Sequence, residues 1–334
     1  MFEIADRLLE RLAAGQRIAV ATAVSVVGSA PRAVGTSMAV SDDGDVIGSI
    51  SGGCVEGAVY ELCTRVLDTG VPELARFGFS DEEAFAVGLS CGGRIEVIVS
   101  LLAPDGAAAV RLAEAASGRP SSMSTVLSGE RRGQVIEDVT SCVDPAAQDA
   151  RPEPARPERI FTERSQPSAR FIIFGAVEFS VALSNAAAQL GYRVTVCDAR
   201  SVFATPARFP AAEQVVVEWP PDYLGRTEVD ERTVICILSH DDRFDADLIE
   251  AALGMPVAYV GAMGSRSTHA RRMAELAARG VTDLAALHSP IGLDIGASTP
   301  EETAISILAE VLAVRTTRTA ASLVTTTGSI HRPR

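Results

Sequence analysis

Not one lysine occurs in the 334 residues, so all 30 basic side chains are arginine. That absence excludes a phosphate-binding P-loop of the usual kind, a kinase strand lysine, a Schiff-base lysine and lysine-bound pyridoxal phosphate, because each needs a lysine amine. Arginine cannot stand in, since its guanidinium does not lose a proton near neutral pH. Positive charge is also in deficit: 43 acidic residues leave a formal net charge of −13. No overall field draws such a chain to nucleic acid or to an anionic membrane, and neither is expected as a partner. The longest apolar run, Ile18–Ala30, is shorter than the ~20 residues a bilayer span needs. Met1–Asp6 carries two acids and no basic leader, so a cytoplasmic protein is expected. Cysteine is scarce too. Cys54, Cys63, Cys91, Cys142, Cys197 and Cys236 form no Cys-x-x-Cys pair, which points to reduced thiols rather than a disulfide framework or a zinc finger.

What is present is an ordinary globular composition, 47% hydrophobic and 22% charged, in a length that suits two domains. Prolines at 145, 152, 154, 157 and 167, interleaved with charge, mark 145–168 as a linker with a short strand at Arg159–Glu163. Before it, Ile4, Leu8, Leu9 and Leu12 recur at helical spacing ahead of Gly15. Strands are predicted at Arg17–Val27, Ser37–Ser41 and Val46–Ile50, a helix over Val55–Asp68, and further strands near Phe77 and at Ile95–Leu101, Met123–Leu127 and Gln134–Val139. Residues 1–144 therefore read as an α+β module.

After the linker, strand and helix alternate. Arg170–Phe174, Phe179–Leu190 and Arg193–Cys197 make one βαβ unit, and Val215–Val217, Thr233–Leu238 and Val257–Val260 supply more buried strands. Helices are expected at Asp245–Leu253 and Ser265–Arg279, and Thr299-Pro300-Glu301-Glu302 is a capping box opening a last helix to about Val314. Residues 169–318 read as a doubly wound parallel sheet, followed by a tail, 319–334. The fold class is thus α/β, with an α+β module at the N-terminal side.

Two glycine-flanked cysteines stand out. Gly52-Gly53-Cys54 sits at a strand-to-helix junction, where a close backbone approach and the helix dipole favour a reactive thiolate, or where a small thiol simply fills a tight turn. Cys91-Gly92-Gly93 has the opposite order, and the two thiols facing one soft ligand would suit molybdenum, copper, iron–sulfur or persulfide chemistry. In the second half, Gly264-Ser265-Arg266-Ser267 opens a helix that carries His269, Arg271 and Arg272, a backbone and guanidinium cradle for phosphate unless the serines merely cap it. His240 ends a strand on the ligand-binding edge, and Asp294 lies in the Pro290–Ala297 loop after His288. No metal held directly by protein side chains is expected.

Gly28-Ser29-Ala30-Pro31-Arg32, the run Gly48-Ser49-Ile50-Ser51-Gly52-Gly53-Cys54-Val55-Glu56-Gly57 and Gly88-Leu89-Ser90-Cys91-Gly92-Gly93 together resemble the N-terminal signature of the xanthine dehydrogenase accessory protein (XdhC/CoxI) family. Phe203-Ala204-Thr205-Pro206, Arg208-Phe209-Pro210, Ser239-His240-Asp241, Tyr259 to Arg266 and Pro290 to Ala297 are similar to that family's C-terminal Rossmann-like domain. The resemblance implies a maturation factor that binds the molybdenum cofactor (molybdopterin), protects it while a partner cysteine desulfurase supplies sulfur, and delivers it to an apo molybdenum hydroxylase such as xanthine or carbon monoxide dehydrogenase. A homodimer is an open possibility for its assembly.

The rival expectation is an NAD(P)-dependent oxidoreductase, because Gly175 follows the first strand and Asp198 ends the second, at about the 20-residue spacing of a ribose-binding acid. The fingerprint is damaged: Gly175-Ala176-Val177-Glu178-Phe179-Ser180 keeps one glycine of three. Val177 stands where pyrophosphate would approach and Glu178 puts a carboxylate there, so the usual dinucleotide mode is disfavoured. The resemblance to the XdhC/CoxI family implies histidine at the Glu178 position, so Glu178 is a departure from that pattern.

Overall fold

The computed structural model describes residues 1–27, 32–78, 94–136, 158–241, 243–281 and 283–327, in two compact units that divide between Pro167 and Ser168, with Thr327 grouped to the first.

In the first unit, α1 (Ala5–Ala13) precedes β1 (Ile18–Val27), β2 (Ser37–Ser41) and β3 (Val46–Gly48), and α2 (Glu56–Thr69) is followed by β4 (Glu73–Phe77) and β5 (Arg94–Leu102). These strands form one antiparallel sheet in the order β3-β2-β1-β5-β4. Because side chains alternate along a strand, β1 serves two cores. Ala19, Ala21 and Ala23 face α2, whereas Ile18 and Val20 join Leu8 of α1 on the opposite side. The small alanines let α2 lie close. Its buried stripe, Val59, Leu62, Cys63, Val66 and Leu67, follows the i, i+3, i+4, i+7 rule of an amphipathic helix. Each large apolar side chain in it stabilises by about 1.5–3 kcal/mol relative to exposure.

A helix not anticipated from the sequence, α3 (Ala107–Ala116), packs beside α1, and β6 (Ser121–Val126), β7 (Val135–Ile136) and β8 (Ile160–Ser165) make a second antiparallel sheet in the order β7-β6-β8. β8 lies within the span read as linker, yet pairs along its whole length with β6. Of the strand expected at Gln134–Val139, Val135–Ile136 is seen and the remainder falls outside the described residues.

The second unit alternates β9 (Arg170–Phe174), α4 (Glu178–Gln189), β10 (Arg193–Cys197), β11 (Gln214–Val216), α5 (Pro220–Arg226), β12 (Val234–Ile237), α6 (Asp245–Leu253), β13 (Tyr259–Ala262), α7 (Arg266–Ala278), β14 (Leu287–His288) and α8 (Pro300–Arg315). All six strands are parallel in the order β11-β10-β9-β12-β13-β14. Counted within the unit this is 3-2-1-4-5-6, the doubly wound Rossmann order, with the topological switch between β9 and β12. The strands read as continuous apolar runs because both faces are covered. Phe171, Ile173 and Val196 pack with Leu183 of α4 and Ile307 and Val311 of α8, and Ile172, Phe174 and Ile237 pack with Leu224, Leu248 and Leu276 of α5, α6 and α7. β13 begins two residues later than expected, because Met255-Pro256-Val257 forms a turn before Ala258 N–H joins Thr233 C=O. The capping box is formed as read: Thr299 Oγ1 accepts from Glu302 N–H at 3.2 Å, and Glu302 Oε2 accepts from Thr299 N–H at 3.1 Å.

Candidate functional site

The Gly52-Gly53-Cys54 turn is organised by a residue whose role the sequence reading did not assign, Glu56, the first residue of α2. Its carboxylate accepts from Ser49 Oγ at 2.7 Å, Ser51 N–H at 2.9 Å, Ser51 Oγ at 2.6 Å, Gly52 N–H at 2.8 Å and Gly53 N–H at 2.7 Å. Three consecutive N–H groups can converge on one carboxylate because Gly52 (φ +85°) and Gly53 (φ +127°) adopt backbone conformations open to glycine. Burial alone would raise the Glu56 carboxyl, but these hydrogen bonds outweigh it and hold the group far below the ordinary carboxylate range. Ser51 Oγ also accepts from Cys54 N–H at 3.0 Å and Val55 N–H at 3.1 Å, so the cysteine backbone is fixed by the same cluster.

Cys54 is half-buried there, packed at its base against the α2 core. Cys63, Cys197 and Cys236 are buried in strand or helix. Burial pushes the Cys63 thiol up to about 12, and burial followed by the charges of Glu218 and Asp198 does the same for Cys197. Cys236 is raised by burial and by Glu310. These three stay protonated at neutral pH and act as small apolar residues. Cys91, Gly92 and Gly93, together with Cys142, lie outside the described residues. A cavity of about 30 Å³ among Thr22, Ile98, Phe161 and Glu163 has room for about one water and is lined by none of the candidate residues.

In the second unit the C-terminal strand ends bring most of the expected residues to one edge. Gly175 (φ +105°) follows β9, and a Cβ there would lie 2.8 Å from Ser239 N, so only glycine allows the β9 and β12 ends to meet so closely. Asp198 closes β10 and is 5% exposed. Both of its oxygens are occupied: Ala176 N–H donates at 2.7 Å, Arg200 N–H at 2.8 Å, and the Arg200 guanidinium makes a bidentate pair at 2.9 and 2.8 Å. Burial would raise this carboxyl, but the Arg200 and Ala176 hydrogen bonds hold it below the aspartate range. Glu178 heads α4 with its carboxylate exposed, 3.5 Å from Arg208. Val177 and Glu178 thus stand where a dinucleotide pyrophosphate would be seated.

Beneath β12 and β13 runs a buried network. Ser239 Oγ donates to Asp245 Oδ1 at 2.7 Å, Arg272 Nη2 to Asp245 Oδ2 at 2.6 Å, and Arg272 Nη1 to Met263 C=O at 2.5 Å. Asp245 and Arg272 are 3% and 4% exposed, so Arg272 is a fully desolvated tie between two loops, not part of a solvated face. Directly above it, Gly264 leads into α7. Ser265 is the N-cap of that helix, its Oγ accepting from Thr268 N–H at 3.1 Å, while Arg266 is exposed at the first helical position. The buried Nδ1 of His269 has no hydrogen-bond partner among the described residues. His240 is exposed at the β12 end and Asp294 is exposed in the loop after β14. That loop is fastened to α8 by Gly292 N–H on Glu310 Oε2 at 2.8 Å and Ser306 Oγ on Leu293 C=O at 2.6 Å.

A parallel sheet in 3-2-1-4-5-6 order with its candidate residues on the C-terminal edge, joined to an antiparallel module that presents one cysteine on a diglycine turn, defines a Rossmann-domain protein with an additional thiol-bearing module. The chain belongs to the XdhC and CoxI family: a model of that family matches residues 11–78, and a model of the XdhC Rossmann domain matches residues 171–311. It is 28% identical to a probable xanthine dehydrogenase subunit of Bacillus subtilis over 92% of this chain and 96% of that protein. It is 26% identical to the molybdenum cofactor insertion chaperone PaoD of Escherichia coli over 92% of this chain and 86% of that protein. The crystal structure of a xanthine dehydrogenase from Bacillus halodurans is similar to it with a TM-score of 0.75 at 27% identity, covering 96% of this chain and 98% of that one. Among the described residues, no helix is long and apolar enough to cross a membrane and no group of three or more His, Cys, Asp and Glu is placed to hold a metal ion.

Proposed function

We propose that this chain binds the molybdenum cofactor and delivers it to an apo molybdenum hydroxylase in the cytoplasm. The observation that carries the reading is Cys54: among the described cysteines it alone is not buried, and five hydrogen bonds to Glu56 fix the diglycine turn that presents it. Family membership and the chaperone name of PaoD support the same role. The donor set fits the group. A thiolate is a soft ligand suited to molybdenum or its exchangeable sulfur, and the α7 N-terminus at Gly264 to Ser267, with the Arg266 guanidinium, suits the pterin phosphate. When bound, the cofactor supplies the redox-active molybdenum centre that the client enzyme uses. In the first unit Cys54 is the soft ligand; in the second unit, taken by itself, Gly264, Ser265 and Arg266 are the anion cradle. Sulfur would come from a partner cysteine desulfurase, because a chain without lysine cannot form the pyridoxal Schiff base such an enzyme requires.

The oxidoreductase reading is weaker, since Asp198 is already paired with Arg200 and Glu178 occupies the pyrophosphate position. Cys54→Ser is expected to reduce co-purified molybdenum and pterin to below about a tenth of the wild-type level, the loss of one strong ligand, while the thermal unfolding midpoint is unchanged. Full retention in this variant would remove Cys54 from the site.

A further inference from the structure

The β10 end holds a second set of groups that the cofactor reading does not use. Where dinucleotide-binding sheets present a free carboxylate to ribose hydroxyls, Asp198 is closed off by Ala176 N–H and by the Nε and Nη2 of Arg200. The charge offered outward at this position is therefore the remaining edge of the Arg200 guanidinium, whose side chain is 54% exposed. Arg208 stands close by, its Nη1 held at 3.1 Å by the carbonyls of Ala176 and Phe203. Both guanidinium groups lie over one ring, Phe203, at 4.7 and 5.8 Å from its centroid. That ring is 42% exposed and the preceding Val202 is 74% exposed. The neighbouring acid Asp241 makes its hydrogen bonds to Arg243, at 2.8 and 2.6 Å, and acts on Arg200 through its charge alone.

We propose that Arg200, Phe203 and Arg208 form a subsite for a nucleoside carrying a phosphate on its ribose 2′ or 3′ oxygen, the base packing against the part of Phe203 that the two guanidinium groups leave exposed and the phosphate meeting the outer edge of Arg200, while Arg208, paired with Glu178, holds the ring in place. Two features fix this class. The ribose of a nucleotide in this fold lies at the end of the second strand, and an arginine there reads a ribose phosphate where a free acid would read a diol. The 5′ side is closed, because Val177 and the Glu178 carboxylate stand at the start of α4. The subsite is independent of the cofactor reading and uses neither Cys54 nor Gly264 to Ser267.

The test is calorimetric titration of the full chain with 2′-AMP, 3′-AMP, 5′-AMP, adenosine and inorganic phosphate. 2′-AMP or 3′-AMP is expected to bind at least about tenfold more tightly than 5′-AMP, adenosine or phosphate alone. Arg200→Ala frees the Asp198 carboxylate, so it should abolish that preference and leave adenosine binding as tight as before or tighter. Phe203→Ala, at an exposed position that the fold does not depend on, should weaken 2′-AMP and adenosine together by about tenfold without altering their ratio. Equal binding of 2′-, 3′- and 5′-AMP, or 2′-AMP and 3′-AMP affinities unmoved by Phe203→Ala, would overturn the proposal. Binding of inorganic phosphate as tight as that of 2′-AMP would equally overturn it, reducing the site to a cationic patch.

Discussion

Asp245→Ala is expected to destabilise the second unit by about 3–5 kcal/mol, the cost of leaving a buried charge without its partner. The Arg272 guanidinium is 4% exposed and cannot discharge itself by losing a proton. With Asp245 gone it keeps a hydrogen bond to Met263 C=O, and Ser239 Oγ loses its acceptor. The double variant Asp245→Ala with Arg272→Met removes both charges and should recover most of the loss, because an apolar pair of similar volume replaces an ion pair at little net cost. Urea unfolding midpoints measure both. A single variant within about 0.5 kcal/mol of wild type, the range of ordinary surface changes, would show that the pair is solvated in solution. The network ties the β12 and β13 loops together, so the same substitution should also loosen the Gly264 turn above it and weaken anion binding there.

The second large effect concerns Glu56. Glu56→Ala removes an acceptor shared by five donors, and charge-assisted hydrogen bonds of this kind contribute about 1.5–3 kcal/mol each where they are fully desolvated. Here the Gly52 and Gly53 N–H groups are exposed and regain water, which limits the expected loss to about 1–3 kcal/mol. The larger consequence is local. Released from the carboxylate, the turn no longer fixes Cys54, and alkylation of that thiol in the native protein should change severalfold while Cys63, Cys197 and Cys236 remain protected.

The pH dependence has a definite sign. The folded carboxyl lies below its unfolded value of about 4.3, so its stabilisation is fully present above that pH and is lost as pH falls toward the folded value. The stability gap between wild type and Glu56→Gln should therefore be constant from pH 8 to about 5 and narrow only in more acid solution. A gap that closed near neutral pH would contradict the hydrogen-bonded cluster.

Much of the second unit was legible in the sequence because its signals are local. Short apolar runs alternating with amphipathic stretches give a doubly wound sheet, and the Thr299 capping box forms as written. In the first unit, helix α3 escaped notice because its sequence, AAAVRLAEAA, buries just Ala109 and Leu112, leaving too narrow a stripe to register as periodic. Helix α5, also not anticipated, is short and begins with two prolines. β8 was legible as a short strand at Arg159–Glu163, but the prolines around it read as a linker and its partner β6 could not be told from the sequence.

The position of the candidate residues was legible: Gly52 to Cys54, Gly175, His240 and Gly264 to Arg266 lie at strand-to-helix turns, and Asp198 lies at the end of β10. What those residues do was not legible. The pairing of Arg272 with Asp245 joins two helices through the tertiary fold, and a guanidinium expected on the helix of the phosphate cradle is instead enclosed. Asp198 has the spacing of a ribose acid, but its oxygens are taken by a residue two positions away, a local contact that spacing rules do not register. Glu56 could have been suspected: an acid at the first helical position just after two glycines has open N–H groups within reach.

The central claim is that this chain carries the molybdenum cofactor, and the most direct measurement is the molybdenum and pterin content of the protein purified from cells with intact cofactor synthesis. The account predicts molybdenum and pterin in near-equal amounts, approaching one per chain, released on transfer to an apo molybdenum hydroxylase that gains activity. Protein that emerges without molybdenum or pterin but with a bound nicotinamide dinucleotide would contradict it.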